Sequence, residues 1–260
     1  MKKVVNTFKL LIIFVVIFVS SQIFVATLFR TIGVGGDLGF MLSYLLSMGL
    51  IYVLTTLYER AEFQGIRPVM KSKRGFDPTA VLMGVVLLVA ISITLWPLRD
   101  YLPADSRSYG DGAYTILTIV LISPIMEELI FRGRLYNLLG HTASPFMAAL
   151  LSSLTFAAVH LQPIVIISGF LSGMLFSYMY LLKRSIMLPI ILHIFNNMIA
   201  YALQELTYAG KPLMEYIGKE DYYLTLYIVA ASLVLLFIVF MIRRFYKEYK
   251  LTKRRAESEM

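Results

Sequence analysis

Six side chains capable of acid–base or hydrogen-bonding chemistry interrupt otherwise apolar stretches of this sequence. They are Glu127 and Glu128 in ISPIMEELIFRGRLY, His160 near the end of SSLTFAAVHLQP, and His193, Asn196 and Asn197 in SIMLPIILHIFNNMIA. An ionisable group inside hydrocarbon is costly unless it faces a partner or a wet cavity, so each position needs a reason. A partly desolvated, weakly paired carboxylate suits a general base or acid. A lone membrane histidine is more often a satisfied hydrogen-bonding residue than a catalyst, but two of them accompanying a glutamate point to a reaction centre. The sequence has no cysteine, which removes disulfides, thiolate zinc sites and cysteine nucleophiles together.

Helical spacing sorts these groups. Glu128 and Arg132 lie four apart with the acid first, the favourable order for an ion pair on one helix face. Glu127 stands about 100° round the helix from Glu128 and is expected to lack an obvious local partner. Glu128 and Arg132 are therefore read as a structural pair that orients Glu127. Phe156 and His160 share one face, His193 and Asn197 share another, and Asn196 points elsewhere. Phe156 is read as packing or a substrate wall. Pro124 is expected to bend the helix beside Glu127, and Pro189 to open the helix near His193. His141, in a predicted turn, is assigned no role.

The elements that must hold these groups are membrane helices. Of 260 residues, 58% are hydrophobic and only 15% charged, too apolar for a water-soluble domain. Apolar blocks run over 8–29, 39–58, 78–97, 113–131, 145–161, 163–182, 185–206 and 222–242, near the ~20 residues that cross a ~30 Å hydrocarbon core. The expected fold class is all-α: a polytopic bundle of about eight transmembrane helices, one domain over 1–260, with a motif-bearing core at 113–205. The first block follows the basic Met1-Lys2-Lys3 but is too long for a secretory signal and has no convincing cleavage site, so it is read as a membrane helix.

Assigning alternate connections to one side puts 19 of the 24 lysines and arginines there. Both termini are thus expected in the cytoplasm, and the net charge of +8 is mostly a topology signal. The tail RRFYKEYKLTKRR also suits anionic lipid head groups. Nucleic-acid binding has no basic, aromatic groove to support it. The longest non-cytoplasmic connection, Leu98 to Gly112, hides no extramembrane domain, and no internal repeat suggests a transporter. Gly169-x-x-x-Gly173, with Ser168, Ser172 and Ser177, predicts close helix packing. A hairpin turning at Gly140 to Ser144 puts Glu127 and His160 about 20 and 24 Å along its two arms, at one level. His193 reaches that level if the hairpin projects ~10 Å into the cytoplasm, with Arg132 and Arg134 near the interface. That arrangement implies a cavity open to the cytoplasm.

Glu127-Glu128-x-x-x-Arg132, Phe156-x-x-x-His160 and His193-x-x-x-Asn197, in that order on three apolar helices, resemble the three motifs of the CPBP family. That family comprises the type II CAAX prenyl endopeptidases and the bacterial Abi, or bacteriocin self-immunity, proteins. The likeness covers about 113–205 without departure at the motif positions. It implies an intramembrane endopeptidase cleaving membrane-associated or prenylated-type peptides near the cytoplasmic side. In that scheme Glu127 and His160 activate a water, while His193 and Asn197 stabilise the oxyanion, roles that suit their chemistry. The family's metalloprotease label offers an alternative, a zinc ion on His160, His193 and Glu127. The lack of HExxH and the poor ligand quality of Asn197 favour a metal-independent glutamate-type site. Two other readings remain: a non-catalytic scaffold or immunity protein that binds a cell-envelope partner, and a proton-coupled transporter, which the clustering on three helices disfavours. The expected partners are a peptide or protein substrate at the membrane and the lipid bilayer, with a membrane-protein partner in the scaffold case. The expected location is a bacterial plasma membrane.

Overall fold

Hydropathy and proline placement between them mark out the helices. The computed structural model describes residues 2–67, 77–100, 102, 112–208 and 220–258. In chain order the main helices of the described residues are α1 (Lys2–Thr31), α2 (Gly36–Phe63), α3 (Pro78–Leu95), α4 (Ala113–Leu139), α5 (Pro145–Ala158), α6 (Pro163–Lys183), α7 (Met187–Tyr208) and α8 (Glu220–Ser258). Pro78, Pro145 and Pro163 sit in the first turns of α3, α5 and α6, where a missing N–H costs nothing. Asp77 and Ser144 cap two of these starts, accepting from the backbone N–H of Ala80 and Met147. Pro189 lies in the first turn of α7, so it begins that helix and does not open it near His193, as the sequence suggested.

The protein is an all-α, multi-pass membrane bundle. Among the described residues, six helices are long and apolar enough to cross a membrane, and α5 and the stretch Met187–Ala202 of α7 are shorter apolar segments. At ~1.5 Å per residue the 14 residues of α5 reach only about 21 Å, short of a ~30 Å core. The eight expected blocks all form helices, and α7 as a whole has 22 residues. Ile12, Val16 and Ile23 on α1 are about 60% exposed, an outward apolar face that suits hydrocarbon.

Polar clasps show which helix ends lie together. Thr7 at the start of α1 meets Thr142 in the α4–α5 turn at 2.8 Å, and Lys9 meets Glu62 near the end of α2 at 3.0 Å. Lys183 at the end of α6 donates to Asp77 before α3, and Arg184 reaches Glu248 of α8 at 3.7 Å. These contacts gather at one end of the bundle and follow the alternation expected from the loop charges. α2 and α4 run in the same direction: Asp37 accepts from Tyr114 N–H at 2.9 Å, Tyr44 reaches Glu127, and Glu59 reaches Arg134. Arg132 and Arg134 are 0% and 2% exposed, enclosed by the protein. Lys71, Lys73, Arg74, Arg107, Lys211 and Lys219 of the charge count lie outside the described residues.

The α4–α5 hairpin turns at Gly140 to Ser144 as its sequence predicts, with Gly140, Thr142 and Ala143 closing backbone bonds onto Tyr136 and Leu139. α6 packs along α5 through the small residues anticipated there. A Cβ on Gly173 would stand 3.1 Å from an Arg132 guanidinium nitrogen, 3.1 Å from Ser153 Cβ and 3.3 Å from the Phe156 ring. Gly173→Val is therefore expected to lower stability by about 1–3 kcal/mol through overpacking, read as a lower thermal midpoint in detergent. Gly49→Ala, where nothing lies within 4 Å, should leave the midpoint unchanged or slightly raised.

Candidate active site

The site is built on an irregular stretch of α4. Ser123 N–H bonds to Thr118 O and Tyr136 N–H to Phe131 O, each five residues back. A π turn therefore stands on either side of Ser123–Ile130, the segment that carries both glutamates. Pro124 has no N–H for the carbonyl of Ile119, five residues before it, and Asn197 Nδ2 donates to that carbonyl from α7 at 2.9 Å. At the second π turn, Ser152 donates to Phe131 O and Asn137 to Gly133 O, each at 2.8 Å. Side chains of α5, α7 and α4 itself thus cap the loosened ladder.

Glu128 is the hub. Its Oε1 accepts from Arg132 at 2.8 Å, as the four-residue spacing predicted, and also from His193 Nδ1 at 2.9 Å. Both Glu128 and Arg132 are completely buried. Arg132 donates further to the Gly173 carbonyl at 2.9 Å, and its guanidinium lies 4.7 Å from the Phe156 ring and 5.3 Å from the Phe176 ring. Phe176 also stacks on His193, with ring centroids 5.0 Å apart. Because a carboxylate only accepts, the proton shared with Glu128 sits on His193 Nδ1. Nε2 is left facing Glu127 Oε2 at 3.7 Å. Sequence reasoning gave Glu128 its arginine but not its histidine, which comes from a different helix.

Glu127 does have partners, contrary to the sequence expectation. Tyr44 of α2 donates to its Oε1 at 2.7 Å, and Ser123, four residues earlier on α4, donates to the same oxygen. Tyr44 and Ser123 also touch, at 2.9 Å. Ser123 and Glu127 lie four apart on one helix face, a spacing visible in the sequence, but a neutral hydroxyl marks itself less plainly there than a basic partner would. Tyr44 carries no sequence signal, being one tyrosine in an apolar block 83 positions away.

His160 lies two residues beyond the end of α5, half-buried, with Nδ1 on the Phe156 carbonyl at 2.8 Å. The carbonyl accepts, so Nδ1 carries a proton and Nε2 is the ring nitrogen left for chemistry. The Phe156 ring stands against both histidines, 4.9 Å from His160 and 5.5 Å from His193. It is 2% exposed, a packing residue that spaces the two imidazoles. Asn196 donates to Asn197 Oδ1 at 3.3 Å. Among the described residues, no three His, Asp or Glu side chains converge as a metal ion requires. The residues present therefore do not fit a zinc centre on His160, His193 and Glu127.

A second buried cluster lies further along α4. Glu59, fully buried on α2, accepts from Arg134 at 3.1 Å, pairs with His141 Nε2 at 2.9 Å and accepts from Arg67 N–H at 3.2 Å. His141 also stacks on Phe63 at 3.9 Å. Arg134 was read from the sequence as a loop charge and His141 was given no role; both instead tie α4 to α2.

The class defined by this fold and site agrees with comparison against known proteins. Residues 110–199 match the family described as type II CAAX prenyl endopeptidase Rce1-like, which bears out the resemblance read from the three motifs. A protein of Escherichia coli named "Uncharacterized 24.3 kDa protein" is 33% identical over 119 residues, 44% of this chain and 54% of that protein. "Putative membrane peptidase YdiL" of Bacillus subtilis (strain 168) is 26% identical over 106 residues, 41% of each chain. The chain thus spans about half the length of the curated relatives it matches. No solved structure matches.

Removing one member of a buried ion pair leaves the other uncompensated. Arg132→Met is expected to destabilise the protein by about 3–5 kcal/mol, measured by denaturant or thermal unfolding in detergent. Adding Glu128→Gln to that variant should recover part of the loss.

Proposed function

We propose that this protein is an intramembrane endopeptidase that hydrolyses peptide bonds in membrane-associated substrates. The observation that carries this reading is the facing pair of Glu127 Oε2 and His193 Nε2, 3.7 Å apart, each held from behind. Tyr44 and Ser123 hold the glutamate, and Glu128 holds the imidazole. Two groups at that separation can both touch one water or one substrate oxygen. The likeness to type II CAAX prenyl endopeptidases supports a peptidase at family level.

In this scheme a water, oriented by the Nε2 lone pair of His160, gives its proton to Glu127 as its oxygen attacks the scissile carbonyl. The oxyanion of the tetrahedral intermediate accepts hydrogen bonds from His193 and Asn197. His193 donates through Nε2 as an imidazolium, its other nitrogen held by Glu128. Asn197 has one N–H committed to Ile119 O and offers the second. Collapse of the intermediate breaks the C–N bond, and Glu127 passes the same proton to the leaving amine. One water is consumed and an acid and an amine are formed. Arg132 keeps Glu128 in place and touches no substrate.

The test is cleavage of a peptide library, with prenylated and unprenylated members, by the purified protein in detergent. Glu127→Gln, His160→Ala and His193→Ala should each lower turnover by about 10²-fold or more, and Asn197→Ala by about 10²-fold. A chelator should leave turnover unchanged. Undiminished cleavage by Glu127→Gln would overturn the assignment. A biological effect that persists with no cleavage would favour the scaffold reading.

A further inference from the structure

We propose that Tyr44 of α2 is a positioning residue of the reaction centre, aiming the Glu127 carboxylate so that its free oxygen faces His193. The inference rests on the endopeptidase reading and adds a component from outside the segment 110–199 that carries the family likeness.

A glutamate side chain has three rotatable bonds, and an unrestrained carboxylate at the end of it sweeps many orientations. Catalysis at a carbonyl needs the accepting oxygen within a few tenths of an ångström of one place. Glu127 meets that requirement through two hydroxyls that converge on one of its oxygens. Tyr44 Oη stands 2.7 Å from Oε1 and 2.9 Å from Ser123 Oγ, and Ser123 also donates to Oε1. The two hydroxyl protons satisfy Oε1, so Oε2 is the oxygen turned to His193 Nε2 at 3.7 Å. The other charged groups nearby are Glu128 and Arg132; Glu128 is bonded to both Arg132 and His193, which leaves Tyr44 and Ser123 to fix Glu127.

Tyr44 is itself held in place. Seven residues before it, Asp37 accepts from the N–H groups of Tyr114 and Thr115 and from the Thr115 hydroxyl, pinning the start of α2 to the start of α4. Fifteen residues after it, Glu59 pairs with Arg134. Tyr44 therefore stands on a helix clamped to α4 above and below the glutamates, and the ring of Phe40, 6.4 Å away, lies one turn back on the same helix. Ser123 alone is less directive, since a hydroxyl one turn away on the same helix moves with the glutamate, whereas Tyr44 refers Glu127 to a different helix.

The experiment compares wild type, Tyr44→Phe, Ser123→Ala, the double variant and Glu127→Gln, using the full chain in detergent and a quenched peptide that the wild type cleaves. Tyr44→Phe should lower kcat by about 10- to 100-fold with KM within about twofold and an unchanged thermal midpoint. Ser123→Ala should have a smaller effect, and the double variant should lose less than the product of the two, because both hydroxyls fix one oxygen. In the infrared spectrum, the carboxyl band assigned to Glu127 by its loss in Glu127→Gln should shift in Tyr44→Phe, with or without substrate.

Unchanged kcat in Tyr44→Phe while Glu127→Gln is inactive overturns the positioning role alone. A raised KM or a lowered midpoint that accounts for the whole loss also overturns it. Activity in Glu127→Gln, or no cleavage by the wild type, overturns the endopeptidase reading and the positioning role of Tyr44 with it. In that case the infrared shift decides whether the contact itself stands.

Discussion

A guanidinium with no exposure to solvent governs the arrangement of this protein. Arg132 lies at the meeting point of α4, α5 and α6, and its charge is balanced by Glu128 one turn away. Buried charges of this kind are tolerated only when paired and hydrogen-bonded. The requirement propagates outward. Glu128 must stay beside Arg132, His193 must stay beside Glu128, and α7 is thereby fixed against α4. Gly173 has no side chain because the guanidinium occupies the space where one would go. The contact that orders the site is also one on which folding depends.

The two π turns answer a geometrical difficulty. A carbonyl that loses or loosens its bond within the helix accepts more readily from a neighbour. Loosening α4 on both sides of the glutamates lets Asn197, Ser152 and Asn137 attach to its backbone. Pro124 contributes by withholding a donor, so the bend anticipated from the sequence takes the form of a carbonyl that α7 caps. The Glu127–Glu128 segment is thereby suspended between attachment points on other elements, with its own ladder intact only over a short α-helical stretch.

Much of this was legible in the sequence. Hydropathy marks the helices, spacing marks the Glu128–Arg132 pair, and Gly169 and Gly173 mark a face of α6 that packs closely, without saying that α5 is the neighbour. What escaped was of one kind: polar partners supplied by a distant helix. Tyr44 and Glu59 lie in α2, whose apolar block carries no motif, and a buried Glu59 reads in sequence as one more charge beside Arg60. Arg134 and His141 were misjudged for the same reason, since their burial depends on a helix more than seventy residues earlier. Short-range periodicity reports which residues share a face of one helix, and it is silent about what the facing helix brings.

The parallel run of α2 beside α4 has a consequence for how such proteins diverge. The segment recognisable from its motifs is not a detachable module, since two of its buried polar groups, Glu127 and Arg134, are completed by a helix outside it. A lineage that replaced α2 would have to supply a hydroxyl at one level and a carboxylate at another, in register, at the same time. Changes among the outward apolar residues of α2 leave these contacts untouched, whereas a change at Tyr44 or Glu59 removes a partner of Glu127 or Arg134.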